Sequence, residues 1–116
     1  MWNDLSGFEQ GWLAGILDGE GSFTEHKTRV SIRIETTDLD VVRRVAAIWD
    51  SKVYIRKRSL LGTCKPSYIT QISGNKAMAF MVGLYPYLCR RRQAQVAHAL
   101  RFKACMFTDL TPLSIP

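Results

Sequence analysis

A chain of 116 residues, 47% of them hydrophobic, carries enough apolar side chain for one core and too little for two comfortable domains, so a single domain over residues 1–116 is expected. Sixteen Lys and Arg against ten Asp and Glu give a formal net charge of +6, which suits a polyanionic partner, nucleic acid first, and equally a small domain charged for solubility. Cys64, Cys89 and Cys105 are odd in number and far apart, which excludes a disulfide framework or a zinc pair; no run approaches the roughly 20 apolar residues that cross a bilayer, and a soluble intracellular protein is expected.

In chain order, Phe8 to Asp18 reads as a helix, with Ser6 placed to cap it and the glycines of "DGEG" to end it. Successive steps of about 100° gather Gly11, Ala14, Gly15 and Asp18 within one arc, while Phe8, Trp12, Leu13, Ile16 and Leu17 fill most of the remainder. Glycine costs about 1 kcal/mol at a helical position, so two on one stripe imply a close helix–helix approach, within the chain or beyond it.

"SFTEH" and "RVSIRIET" then alternate as strands joined near Lys27 and Thr28, with Val30, Ile32 and Ile34 on one side and Arg29, Ser31, Arg33 and Glu35 on the other. Thr37 and Asp40 suggest a capping box for an amphipathic helix over residues 38–49, whose apolar stripe is Leu39, Val42, Val45, Ala46 and Trp49. "KVYIRKR" and "SYITQIS" form a second strand pair around Gly62 and Pro66, "NKAMAFMVGL" and "YLCRRRQAQVAHALRFKA" are helices broken at Tyr85 and Pro86, and "TDLTPLSIP" is irregular. The order predicts an α+β domain with helices on one face of an antiparallel sheet.

The other face of that sheet would carry Ser22, Thr24, His26, Arg29, Ser31, Arg33, Glu35, Lys52, Tyr54, Arg56 and Arg58, with Ser67, Ile69 and Gln71 from the last strand. Polar and mostly cationic, it suits phosphates and base edges, and strands can enter a major groove; a solvated antiparallel face is the simpler alternative. His26 is expected to face solvent or a hydrogen-bond partner.

Asp18 and Glu20 pose the sharper question, because carboxylates at a helix C-terminus oppose the macrodipole unless a cation is near. A divalent ion such as Mg²⁺ would suit Glu20 and the Gly19 carbonyl, whereas a turn cap or an arginine partner would answer equally well.

"LAGILDGEG" resembles the signature of the LAGLIDADG homing endonucleases, with identity at Leu13, Ala14, Gly15, Asp18 and Gly21, conservative changes at Ile16, Leu17 and Glu20, and Gly19 in place of alanine. The element order is similar to the αββαββα core of that family over nearly the whole chain. The resemblance implies a four-stranded, saddle-like DNA-binding sheet. It also implies a homodimer packed through Gly11, Ala14, Gly15 and Asp18 on a long near-palindromic DNA site, cut by metal-assisted hydrolysis.

By the same resemblance Glu20 is the acidic catalytic residue and, with Gly19, a ligand of Mg²⁺, for which Mn²⁺ or Ca²⁺ can substitute. Arg91 stands where a family lysine is found, Arg90 and Arg92 serve as phosphate contacts, and Asp38 lies near a water-positioning residue. The alternatives are a solvated arginine face and a helix-starting Asp38. A non-cleaving DNA-binding regulator or an RNA maturase acting on intron RNA is the second functional expectation, and a basic domain that dimerises through the glycine face without specific binding is the third.

Overall fold

The computed structural model describes residues 1–27, 29–57 and 65–106, with side chains through residue 101. A 3₁₀ turn at Trp2–Asp4 leads into α1 (Gly7–Glu20), followed by β1 (Gly21–His26), β2 (Arg29–Thr36), α2 (Leu39–Trp49), β3 (Tyr54–Arg56), β4 (Ser67–Ser73) and α3 (Gly74–Leu84). A second 3₁₀ turn, Tyr85–Tyr87, joins α3 to α4 (Arg90–Met106) at the expected Tyr85–Pro86 break. The fold is α+β, with an open antiparallel sheet in the order β1-β2-β4-β3.

Alternation on β1 and β2 sends Phe23, Val30, Ile32 and Ile34 to one side, where they are buried with Ile72 of β4. Those side chains meet Leu13 and Leu17 of α1, Val45 and Trp49 of α2, Phe80 and Leu84 of α3 and Val96 of α4 in one core, so the helices cover a single face. Trp2 closes the core with its ring edge-on to Phe80 and lies directly over Gly83, where a Cβ would come within 2.3 Å of the indole. No helix among the described residues is long and apolar enough to cross a membrane.

Four local expectations need correction. α1 runs two residues past Asp18 and Glu20 is its last residue, because two of its terminal carbonyls find a donor on α4, described below; the chain leaves at Gly21, where a Cβ would sit 2.6 Å from the Leu17 carbonyl. α2 is capped by Asp38 rather than by a Thr37–Asp40 box: Asp38 Oδ1 accepts from the N–H groups of Asp40 at 3.1 Å and Val41 at 3.4 Å. β3 is shorter than "KVYIRKR", since the Lys52 carbonyl accepts from the Thr70 hydroxyl at 2.8 Å and Ser51 Oγ lies 2.5 Å from the same hydroxyl, which ties this stretch by side-chain bonds instead of ladder bonds. Lys52 is therefore exposed but outside the ladder, and the expected Arg58, Gly62 and tail features lie outside the described residues.

Candidate nucleic-acid interface and acidic site

The register fixes which side chains share the uncovered face. Ser22 pairs with Arg33, Thr24 with Ser31, His26 with Arg29, Arg33 with Gln71, Glu35 with Ile69, Tyr54 with Ile69 and Arg56 with Ser67, and directly opposite residues point the same way. Thr24, His26, Arg29, Tyr54, Arg56 and Gln71 are exposed, whereas Ser22, Ser31, Arg33, Glu35 and Ile69 are half-buried. Ser67 is buried and donates to Glu35 Oε2 at 2.6 Å, so it supports the face from within.

Glu35 is the polar hub of that face. Its Oε1 accepts from Arg33 Nη2 at 3.1 Å and lies 3.6 Å from Arg56 Nη1, so one carboxylate links β2, β4 and β3. The Ser67 hydroxyl, then Arg56 and Arg33, hold its carboxyl below the ordinary value against a smaller opposing effect of burial. Because Gly21 pairs with Ile34, the end of β2 that carries Glu35 is the end at which β1 leaves Glu20.

At that same end, α1 and α4 cap one another. Asp18 Oδ1 accepts from the Cys89 N–H at 2.8 Å, placing a negative charge at the start of α4 where the helix dipole favours it. In return Arg92 of α4 donates from Nε to the Asp18 carbonyl at 2.9 Å and from Nη2 to the Gly19 carbonyl at 3.2 Å, supplying the cation that the C-terminus of α1 lacks in its own sequence. Arg92 Nη1 donates to Gln95 Oε1 at 3.2 Å, so the guanidinium is engaged within the protein and is not presented as a loose phosphate contact.

The Cys89 thiol and N–H, helped by the charges of Arg92 and Arg91, hold the Asp18 carboxyl below its ordinary value of 3.8, and the Cys89 thiol is pushed up in turn. The contribution of Asp18 to stability is thus present above that ordinary value and is lost as pH falls through the depressed one. Asp18→Asn is expected to flatten the acid limb of the stability profile, read from urea midpoints between about pH 6 and about pH 3; an unchanged limb would show that Asp18 is not held this way.

The remaining sequence-predicted residues fall in two groups. Glu20, Gly19, Gly11, Gly15, Arg90 and Arg91 are exposed, while Ala14 is buried against the chain's own core and Asp18 is half-buried at α4. Asp38 is exposed, with Oδ1 occupied by the α2 cap. An added Cβ at Gly7, Gly11, Gly15 or Gly19 would meet nothing within 4 Å among the described residues, so the open stripe of α1 is built of four glycines at intervals of four. Phe8 flanks this stripe, and Arg44 of α2 stacks on Phe8 at 5.7 Å and Trp12 at 4.0 Å.

Sequence reasoning missed Cys89, Gly7 and the inward role of Arg92. One signal was available: α4 starts without a local Ser, Thr, Asp or Asn cap, which leaves its N-terminus in need of an acceptor from elsewhere.

A helical layer behind a cationic sheet, with a solvent-facing carboxylate where the first helix enters the sheet, defines a class of α+β scaffolds fit to lie on a polyanion. A family model described as a LAGLIDADG-like domain matches residues 7–80, from α1 through most of α3, and the chain belongs to that family. No curated protein sequence matches the chain.

Among solved structures the chain is similar to the homing endonuclease I-CvuI in complex with its target and Ca, at 20% identity and a TM-score of 0.64, covering 87% of this chain and 69% of that one. A second I-CvuI complex, with the I-CreI target and Mg and with DNA not cleaved, gives a TM-score of 0.61 at 20% identity, with the same coverage of 87% and 69%. The archaeal intron-encoded homing endonuclease I-Vdi141I, complexed with DNA, gives a TM-score of 0.62 at 13% identity, covering 87% of this chain and 70% of that chain. At these identities the likeness establishes the fold.

Proposed function

We propose that residues 1–116 act as one site-specific DNA endonuclease unit that pairs with a second copy and hydrolyses phosphodiester bonds of a long near-palindromic duplex with a divalent cation. The observation that carries this reading is the exposed Glu20, set by a family motif at the end of the sheet that also bears Arg33 and Arg56. The DNA complexes of the similar endonucleases support the choice of duplex DNA as partner.

The donor set suits a hard cation. Glu20 offers carboxylate oxygens to solvent, and the Gly19 carbonyl, which accepts from Arg92, has a second lone pair; both are oxygen ligands of the kind Mg²⁺, Mn²⁺ and Ca²⁺ take. No group of three or more His, Cys, Asp and Glu gathers among the described residues, so one copy would leave the shell incomplete, with the second copy, phosphate oxygens and water completing it. Bound there, such an ion would polarise the scissile phosphate and acidify a water.

The chain's own residues have separable tasks. Arg29 of the sheet and Arg90, both exposed, hold the phosphate backbone, and Arg91 supplies positive charge at the scissile phosphate. Asp38 Oδ1 is committed to the α2 cap, so any contact with a reaction-centre water falls to Oδ2. Arg92 holds the last turn of α1 and thereby the position of Glu20.

One observation favours a second reading, a non-cleaving binder or RNA maturase on the same scaffold: the Arg92 guanidinium stands against the Gly19 carbonyl, a proposed metal ligand. The protein incubated with Mg²⁺ and a plasmid library of randomised sites is expected to linearise a defined subset, read by sequencing the cut ends. Tight duplex binding without any cut, or preference for structured intron RNA over duplex, would favour the second reading.

A further inference from the structure

Arg33 and Arg56 are cations of the sheet that are already paired, both with Glu35. Their side chains are 36% and 48% exposed, within reach of a duplex, while the Glu35 side chain between them is 23% exposed and is fixed by the buried Ser67 hydroxyl. An arginine held this way must exchange a carboxylate oxygen for a phosphate oxygen, so its net gain from a bare phosphate backbone is small.

Base edges offer a different exchange. An exocyclic amine such as that of cytosine can donate to a glutamate carboxylate, while the acceptors of guanine take an arginine fork, so one G·C-containing step can satisfy the trio together. Phosphates offer only acceptors and leave the carboxylate facing like charge.

Resting on the DNA-binding reading above, we propose that Glu35 is a specificity-determining residue that masks Arg33 and Arg56 against the sequence-independent pull of phosphates and releases them to base edges that also satisfy its carboxylate. Removing the mask should therefore improve binding to the wrong DNA.

The test is the salt dependence of affinity for a random-sequence duplex of about 24 base pairs, since each phosphate neutralised adds about −0.9 to the slope of log K against log salt. E35Q, which keeps an oxygen for Ser67, is expected to bind this duplex more tightly at low salt, with a slope more negative by about one to two. Between about 50 and about 200 mM salt its affinity should fall about fourfold to sixteenfold further than that of the wild type. In an R33Q/R56Q background the same E35Q change should move the slope by less than half as much.

An E35Q slope equal to that of the wild type overturns the proposal, and so does an equal change in the R33Q/R56Q background, which would reduce the effect to net charge. R56Q alone, which leaves the Glu35–Ser67 bond in place, keeps the test decisive if E35Q fails to fold. Masking predicts a slope within about 0.3 of wild type, and a slope less negative by about one shows Arg56 already on a phosphate and overturns it. Absence of duplex binding by wild type and E35Q alike at low salt would instead remove the DNA-binding reading itself, and this inference with it.

Discussion

Glu20→Gln is expected to lower metal-dependent double-strand cleavage by about a thousandfold, with duplex affinity held within about threefold, because it removes the carboxylate proposed to hold the divalent ion and little else. Glutamine keeps the length and one oxygen of glutamate but not its charge. Glu20 is exposed at the last residue of α1, where a negative charge opposes the helix dipole by about 0.3–1 kcal/mol, so the variant should melt at or slightly above the wild-type temperature. The expected signature is thus an inactive protein that folds and binds at least as well as its parent. Time courses on a cleaved plasmid, run beside a thermal melt, measure both halves; cutting at the wild-type rate would take the ion-binding role away from Glu20.

Gly15→Leu is expected to separate protomer stability from assembly. An added Cβ at Gly15 meets nothing among the described residues, and leucine is a better helix former than glycine by about 1 kcal/mol, so the isolated protomer should become more stable. In a pair of chains packed on the same open stripe, two leucines would sit where backbones are meant to approach, and self-association should fall at least a hundredfold, with loss of cleavage. Sedimentation across a concentration series reads the assembly, and urea denaturation reads the protomer. Wild type and variant both sedimenting as monomers at every concentration, or both as dimers, would refute the two-fold reading.

The second prediction depends on the open glycine stripe of α1. Among the described residues, packing does not require Gly7, Gly11, Gly15 and Gly19, unlike Gly21 and Gly83, whose missing side chains make room for the Leu17 carbonyl and the Trp2 ring. Two of them, Gly11 and Gly15, lie in the interior of α1, where glycine costs about 1 kcal/mol each. Ala14, by contrast, is already spent on the core, so Gly11 and Gly15 are the residues of the expected interface whose faces stay open.

Short-range periodicity in the sequence determined much of this protein. Alternation placed Arg29, Ser31, Arg33 and Glu35 opposite Val30, Ile32 and Ile34, and helical spacing identified the buried stripe of α2, because both patterns depend on backbone geometry over a few residues. The nine residues of "LAGILDGEG" carried the family, and the element order read separately from periodicity and turn residues agreed with its αββαββα core. The requirement for a cation beside Asp18 and Glu20 was also legible, since a helix dipole is a local property.

Which cation answers that requirement was decided by tertiary structure alone. Arg92 lies 74 residues from Asp18, and nothing in the "CRRRQ" run distinguishes the arginine that turns inward to the α1 carbonyls from the two that face solvent. The same holds for Glu35, whose hydroxyl partner is 32 residues away on β4 and whose second arginine lies on β3, two strands across the sheet. The extension of α1 to Glu20, the burial of Ala14 and the shortening of β3 follow equally from neighbours remote in the chain. Local patterns specify which way a side chain points, but a hydrogen-bond partner depends on the order and register in which distant segments pack, and that information exists only once the chain has folded.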